Sequence, residues 1–477
     1  MKNLLAFIVL FLPALAAFPQ PNEVQQKIRE VEAHLSGWVH TQYDRDWTIA
    51  ERMAHYRLKG VSIAVINNSK VEWARGYGWA DSSEGRPVTA ATLFQAASIS
   101  KSLNGVGVMR LVQDGLLDLN ADVNQYLKGW KFRYDSVSKG KKITMAELLS
   151  HTAGLTVHGF PGYDIKDSIP SIEQILDGQR PANSPRVQSM SEPGLRSVYS
   201  GGGITLSQLA VMNITGLPYD QYMRDSILRP MGMTTSSYTQ PPASKQQKVL
   251  ASGYHANGVP IHGKYHIYPE QAAAGLWTNP TDLGHYIIAT QQALEGKTGG
   301  VLSPAITKMR LTPYIDSNAA LGVFIQQRGD NTYFSHGGAN EGFRCQYYGS
   351  LHGGRGVVVM VNSDNGAIMD EIINSVATVY KWEGFYKPVI KTEIDAPAPL
   401  EQYAGQYTRG NDTVRLFQKD RKILLDVGFD QWQLHFTSAD DFFLYDDRSD
   451  LQFLREDGHV SGILVNHNQT YKKVQEK

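Results

Sequence analysis

The sequence predicts an α+β protein: an antiparallel sheet flanked by helices, a mostly helical lobe beside it, and a small all-β domain at the end. Three observations carry this. Strand-like segments stand towards both ends of residues 18–390, helical patterns and long loops fill the interval, and short alternating segments crowd the last stretch of about 80 residues. Composition agrees, since 42% hydrophobic and 19% charged residues in a chain of 477 exclude a disordered chain and a coiled coil. The 46 basic and 46 acidic residues balance to a formal charge of zero. With no field of one sign to gather phosphates, the composition speaks against nucleic-acid binding.

Taken in order, the chain opens with Met1-Lys2-Asn3, an apolar run from Leu4 to Ala17 and a small-residue exit at Ala14–Ala17. This is expected to be a secretory signal over residues 1–17, too short to span a bilayer. No later segment reaches the roughly 18 apolar residues of a membrane helix. The mature protein is therefore expected to be exported, periplasmic or secreted, with no integral span. Residues 61–67 and 71–78 read as a hairpin turning at Asn67–Lys70. Leu321–Gln327, Thr332–Ser335, Phe343–Tyr348 and Gly356–Val361 read as further strands, followed by a helix near Ile368–Trp382. The economical arrangement is one sheet built from both ends, with a separate helical lobe between them and a cleft where the two meet. Ala396-Pro397-Ala398-Pro399 makes 391–399 a stiff linker. After it, Val414–Phe417, Ile423–Val427, Trp432–Phe436, Phe442–Tyr445 and Leu451–Leu454 predict a small β-barrel or sandwich over 400–477, with a turn at Asp446–Asp450. Cys345 is the single cysteine, which excludes an internal disulfide and a Cys-rich metal site, and it reads as buried core filler.

Chemistry concentrates in three pieces. In Ser98-Ile99-Ser100-Lys101, the apolar residues that follow recur at helical spacing up to Gly115. Ser98 then stands at a helix N-terminus with Lys101 one turn on, on the same face. That geometry suits an acyl-transfer nucleophile: the amine takes the hydroxyl proton, and the helix end favours negative charge at the attacked carbonyl. For this, Lys101 must be neutral part of the time, well below its reference pKa of about 10.4. Ser136/Lys139 and Ser138/Lys141 share the spacing but lie in a polar loop without a helix face, and an ordinary N-cap serine is the alternative for Ser98. The second piece, Tyr199-Ser200-Gly201-Gly202-Gly203, sets a phenol able to relay a proton beside glycines that admit close backbone. The third, Ser335-His336-Gly337-Gly338-Ala339-Asn340, lacks side chains that would clog a cleft. A substrate can lie along it as an added strand, with a backbone N–H aimed at an oxyanion; a tight hairpin turn is the alternative.

In this order and at these separations, the three pieces resemble the serine β-lactamase and penicillin-binding-protein superfamily, whose motifs are Ser-x-x-Lys, Tyr-x-Asn and Lys-Thr-Gly. The resemblance is closest to the class C β-lactamase-related esterases, D-aminopeptidases and DD-peptidases. Leu148–Leu155, Arg229–Met233 and Glu270–Trp277 match signatures common in that group. The likeness covers about residues 45–385 and implies the β-lactamase/transpeptidase fold for 18–390, with an accessory β domain after it. It implies Ser98 as nucleophile, Lys101 as base or shuttle, and Tyr199 as activator or proton donor. The N–H groups of Ser98 and Ala339 form the implied oxyanion hole, and His336, Gly337 and Gly338 the implied substrate-binding motif. His151 is expected to hold a structural hydrogen bond, and no cofactor or catalytic metal is implied.

Two departures shape the expected substrate, a small molecule or peptide. Gly201 stands where the family has asparagine. His336 replaces a permanent lysine charge with one expected to titrate near neutrality, which favours ester, amide or D-amino-acid peptide hydrolysis over β-lactam hydrolysis or DD-carboxypeptidation. Arg344 restores a cation if it faces the cleft. An inactive module that binds cell-wall peptides is the alternative of another class. His262 and His266 are spaced for a metal on a helix, but Gly and Pro surround them. Loops 156–190 and 236–268 are expected to shape the pocket. Oligomeric state is not encoded in any of these patterns.

Overall fold

The computed structural model describes residues 21–474 apart from 44, 298, 386–387, 411, 427–430, 446 and 448. The expected signal segment 1–17 therefore lies outside the described residues, as do position 427 of the strand expected at 423–427 and positions 446 and 448 of the following turn. Seven strands form the main sheet: β1 (Gly60–Asn67), β2 (Lys70–Asp81), β3 (Arg86–Pro87), β4 (Phe324–Arg328), β5 (Asn331–Asn340), β6 (Phe343–Ser350) and β7 (Gly356–Val361). Their order is β3-β2-β1-β7-β6-β5-β4, antiparallel throughout. The pairing of Val61 with Val361 joins the two ends of the domain, as the sequence predicts. The β1–β2 turn places Asn68 and Ser69 at φ 52° and 55°, the left-handed conformation that matches strand twist in a two-residue hairpin.

β1 and β7 are buried along almost their whole length because helices cover both faces. Five helices matter here: α1 (Pro21–Ala33), α2 (Ser100–Gln113), α3 (Gly201–Thr215), α4 (Pro280–Leu294) and α5 (Ile368–Val379). Val61, Ile63, Val65, Val357, Val359 and Val361 pack with Ile28 and Val31 of α1 and Ile372 and Val376 of α5. Their alternates Ile66, Val358 and Met360 face Leu283 and Ile287 of α4. Each such fully buried side chain contributes about 1.5–3 kcal/mol. This second cluster runs on without a break into Leu103, Val106 and Met109 of α2 and Ile204 and Leu206 of α3. The helical lobe is thus not separately cored, and the Ser98 turn sits inside one continuous packing unit.

The C-terminal segment forms a nine-stranded antiparallel sheet from Gly405–Arg409 to Gln469–Lys473. Its two edge strands, Gln431–Gln433 and His435–Phe436, are neighbours in sequence, so the sheet is nearly closed around Tyr403, Tyr407, Phe436, Phe442 and Phe453. The chain between the domains is held rather than free. Val389–Ile390 pairs in parallel with Val39–His40, and the Glu393 carboxylate accepts from His435 Nδ1 at 2.6 Å and the Tyr445 hydroxyl at 3.0 Å. Among the described residues no helix is long and apolar enough to cross a membrane.

Candidate active site

Ser98 lies in the single turn Ala97–Ile99 that runs straight into α2. Ala97 adopts φ +46°, a conformation a β-carbon disfavours, and the half-buried Ser98 follows it at the helix N-terminus. One turn on, Lys101 is 2% exposed. Its Nζ donates to Ser98 Oγ at 3.0 Å and to the Ala273 carbonyl at 2.7 Å, which fixes the long side chain against the hydroxyl. The same Nζ lies 4.9 Å from the centroid of the Tyr199 ring. The structure therefore brings Ser98, Lys101 and Tyr199 together.

Tyr199 precedes the N-cap of α3: Ser200 Oγ accepts from Gly203 N at 2.9 Å. His151, itself at φ +63°, positions the segment. It accepts the Ser200 N–H on Nδ1 at 3.2 Å, its carbonyl takes the Val198 N–H at 2.7 Å, and its ring lies 4.3 Å from that of Tyr199. The structural role expected for His151 thus acts on Tyr199 directly. Of the glycines after Tyr199, Gly201 and Gly202 have neighbours pressed close to where a β-carbon would stand. A β-carbon on Gly201 stands 3.0 Å from the Phe160 ring, and one on Gly202 stands 2.7 Å from Val187. An asparagine at 201 has no room without displacing Phe160.

The third piece, Phe334–Gly342, is a strand that ends in a tight hairpin turn, with Asn340 paired to Phe343 across Glu341-Gly342. β5 continues through His336–Asn340 and reverses only at Gly342, φ +78°. A β-carbon on Gly338 would lie 2.4 Å from the Ala96 carbonyl oxygen, 2.5 Å from Cys345 Sγ and 3.1 Å from Ala97 Cβ. Only glycine lets this strand rest on the Ser98 turn. Cys345, opposite Gly338 in the ladder, donates its thiol to Ala96 O at 3.1 Å, and burial pushes that thiol's pKa up, so it braces the turn as a neutral group. β4 pairs with β5 only from Asn331 to Ser335. Beyond it, among the described residues, Gly337, Gly338 and the exposed Ala339 have β6 on one side and an unpaired edge on the other. Asn340 ends the segment by donating to Gln95 Oε1 at 2.7 Å and the Ala274 carbonyl at 3.1 Å.

Two expectations are corrected. His336 does not titrate near neutrality. It is 4% exposed, its ring lies 5.3 Å from Phe324 and 6.2 Å from Tyr199, and burial, then the charge of Lys101, lower its pKa to about 3. Its Nδ1 faces the Gly337 carbonyl at 2.6 Å and must donate there, which leaves Nε2 as a buried acceptor without a protein partner. Arg344 does not stand beside Ser98. Cys345 faces the turn, so its strand neighbour Arg344 faces the other side, donating to the Asn340 and Phe343 carbonyls and lying 3.1 Å from Asp364 Oδ1. His262 and His266 are likewise engaged apart, with Asp164 and with the Pro161 carbonyl.

Glu270 carries no role in the sequence reading beyond its place in a signature. It is fully buried, neither carboxylate oxygen has a protein partner, and burial raises its pKa to about 8. It caps Gln271–Ala274, the segment whose Ala273 carbonyl holds Lys101. The folded protein keeps this proton where the unfolded chain, at about 4.5, releases it. Glu270 therefore lowers stability as pH rises from about 4.5 to about 8, by an amount on the order of a few kcal/mol. Melting curves at pH 5 and pH 8.5 are expected to show Glu270→Gln close to wild type in acid and more stable than wild type in base. Equal shifts at both pH values would contradict this.

The fold, with a serine, a lysine and a tyrosine gathered at a helix N-terminus, is that of a β-lactamase-type scaffold. The chain belongs to the β-lactamase family, whose family model matches residues 46–377. It is 27% identical over 255 residues to Protein flp of Staphylococcus aureus (strain N315), covering 52% of this chain and 48% of that protein. The chain thus spans about half the length of that curated relative. Among solved structures it is similar to the octameric penicillin-binding protein homologue from Pyrococcus abyssi, with TM-score 0.60, 20% identity, and coverage of 89% of this chain and 97% of that one. It is also similar to the D-amino acid amidase from Ochrobactrum anthropi SV3 complexed with L-phenylalanine amide, with TM-score 0.57, 19% identity, and coverage of 75% and 98%. At these identities the two structures bear on the fold.

Proposed function

We propose that the protein is an exported serine hydrolase that cleaves a small ester, amide or D-amino-acid-containing peptide through an acyl-enzyme on Ser98. The observation that carries this is the 3.0 Å contact of Lys101 Nζ with Ser98 Oγ under the Tyr199 ring, beside an unpaired strand edge. In the neutral form, the Lys101 amine accepts the Ser98 proton as Oγ bonds to the substrate carbonyl carbon. The N–H groups of Ser98 and Ala339 hold the resulting oxyanion. Its collapse expels the alcohol or amine, which takes the proton of the Lys101 ammonium by way of the Tyr199 hydroxyl and so returns Lys101 to the neutral amine. Water then adds to the acyl-serine, giving its proton to the same amine, and releases the acid and the free hydroxyl.

His336 sets the substrate class. Neutral, buried and covered by Phe324 and Tyr199, His336 puts no cation at the place where the family's lysine helps hold a substrate carboxylate. β-Lactams and D-Ala-D-Ala peptides carry such a carboxylate. A panel of p-nitrophenyl esters, D-amino-acid amides and nitrocefin, run on wild type and on His336→Lys, tests this. Wild type is expected to favour the uncharged esters and amides over nitrocefin by at least about 100-fold in kcat/KM. His336→Lys is expected to narrow that ratio by about tenfold or more, because an ammonium–carboxylate contact contributes roughly 1.5–3 kcal/mol. Nitrocefin as the best wild-type substrate contradicts the reading. Absence of all turnover together with muropeptide binding supports the inactive binding module instead.

A further inference from the structure

Away from Ser98, three chain segments bring together side chains that no motif connects. His255 comes from the loop 236–268, Glu341 from the tip of the β5–β6 hairpin, and Asp364 from the chain leaving β7. Their ligand atoms all lie within 4.8 Å of one another: His255 Nδ1 is 3.1 Å from Asp364 Oδ2 and 3.6 Å from Glu341 Oε1. In a tetrahedral site with metal–ligand bonds near 2.1 Å, neighbouring donor atoms stand about 3.4 Å apart, and the two measured separations bracket that value. We propose that His255, Glu341 and Asp364 form a divalent transition-metal site, with zinc the best-matched ion, that fastens the tip of the substrate-side hairpin to the loop 236–268.

The surroundings fit a cation better than an ion pair alone. One imidazole nitrogen faces two carboxylates, and a single N–H on it satisfies only one of them. Asp364 is already oriented: its Oδ1 accepts Gly342 N at 2.8 Å and lies 3.1 Å from Arg344 Nη1, which leaves Oδ2 turned to His255. Such a fixed outer partner is what a metal-binding carboxylate requires. Arg344 offsets one of the two acid charges, so the trio keeps a net negative charge for a dication to neutralise. An imidazole with two carboxylates is a borderline donor set suited to zinc. His255 and Glu341 are half-exposed, so an ion can enter. Glu341 directly follows Asn340, whose side chain is tied to Gln95 and Ala274 beside the Ser98 turn. A bound ion therefore stiffens the end of the strand that carries Ala339, without entering the acyl-transfer steps.

Calorimetric titration of the full, tag-free chain with zinc chloride, with melting curves alongside, tests the site. Wild type is expected to bind one zinc per chain with a micromolar Kd and to melt higher with zinc than without it. His255→Ala and Glu341→Gln each alter a half-exposed side chain and leave the core untouched. Each is expected to weaken binding by at least about tenfold and to abolish the zinc-dependent rise in melting temperature. No saturable binding up to about 1 mM zinc overturns the proposal and leaves the trio as an ion pair. Binding unchanged in both variants overturns it equally, because the ion then sits elsewhere.

Discussion

Ser98→Ala is expected to abolish covalent labelling by a fluorophosphonate probe and to lower turnover of the best ester or amide substrate by about 10⁴–10⁶-fold. Without Oγ no acyl-enzyme forms, and what remains is the acceleration that substrate binding and the backbone N–H groups supply unaided. The effect is separable from misfolding. Ser98 is half-buried, and Lys101 keeps its bond to the Ala273 carbonyl when the hydroxyl is removed. The loss of one hydrogen bond is worth about 1 kcal/mol, so the melting temperature is expected to move by only a few degrees. An active Ser98→Ala protein would move the nucleophile elsewhere.

Lys101→Met is expected to reduce kcat/KM and the rate of fluorophosphonate labelling together, by about 10²–10⁴-fold, the range a positioned general base supplies. Methionine fills the volume of the aliphatic stem; Ser98 Oγ, half-buried, and the Ala273 carbonyl both lose the Lys101 donor, and the buried carbonyl accounts for a cost of about 1–3 kcal/mol. The hydroxyl stays in place, so slow labelling is expected to persist on long exposure, unlike in Ser98→Ala. Full-rate labelling would show that Lys101 is not the base, and would shift that role to Tyr199.

Ser98 and Lys101 are legible in the sequence because their separation is one helical turn, and local periodicity sets both on one face of the turn Ala97–Ile99 and the start of α2 that it runs into. β1, β2 and β7 are legible for the same kind of reason: continuous apolar runs and a two-residue turn are local signals. What depends on packing between distant segments is not. The state of His336 follows from Phe324 and Tyr199 closing over it, and no feature of residues 335–340 announces that burial. The direction of Arg344 follows from the register that sets Cys345 opposite Gly338 and against Ala96. The glycines at 201–203 read as room for a ligand, whereas Gly201 and Gly202 stand against Phe160 and Val187. Gly405–Arg409, His459–Val465 and Gln469–Lys473 escape a pattern search because glycine, threonine and charged residues interrupt their alternation. His255, Glu341 and Asp364 stand far apart in the chain and share no spacing that would mark them.

Peptide mapping by mass spectrometry after reaction with a fluorophosphonate tests the central claim most directly. An adduct on the peptide that begins the Ser98–Lys101 helix, absent from Ser98→Ala, is the expected result. An adduct on Ser136, Ser138 or any other hydroxyl, with Ser98 unmodified, contradicts the account.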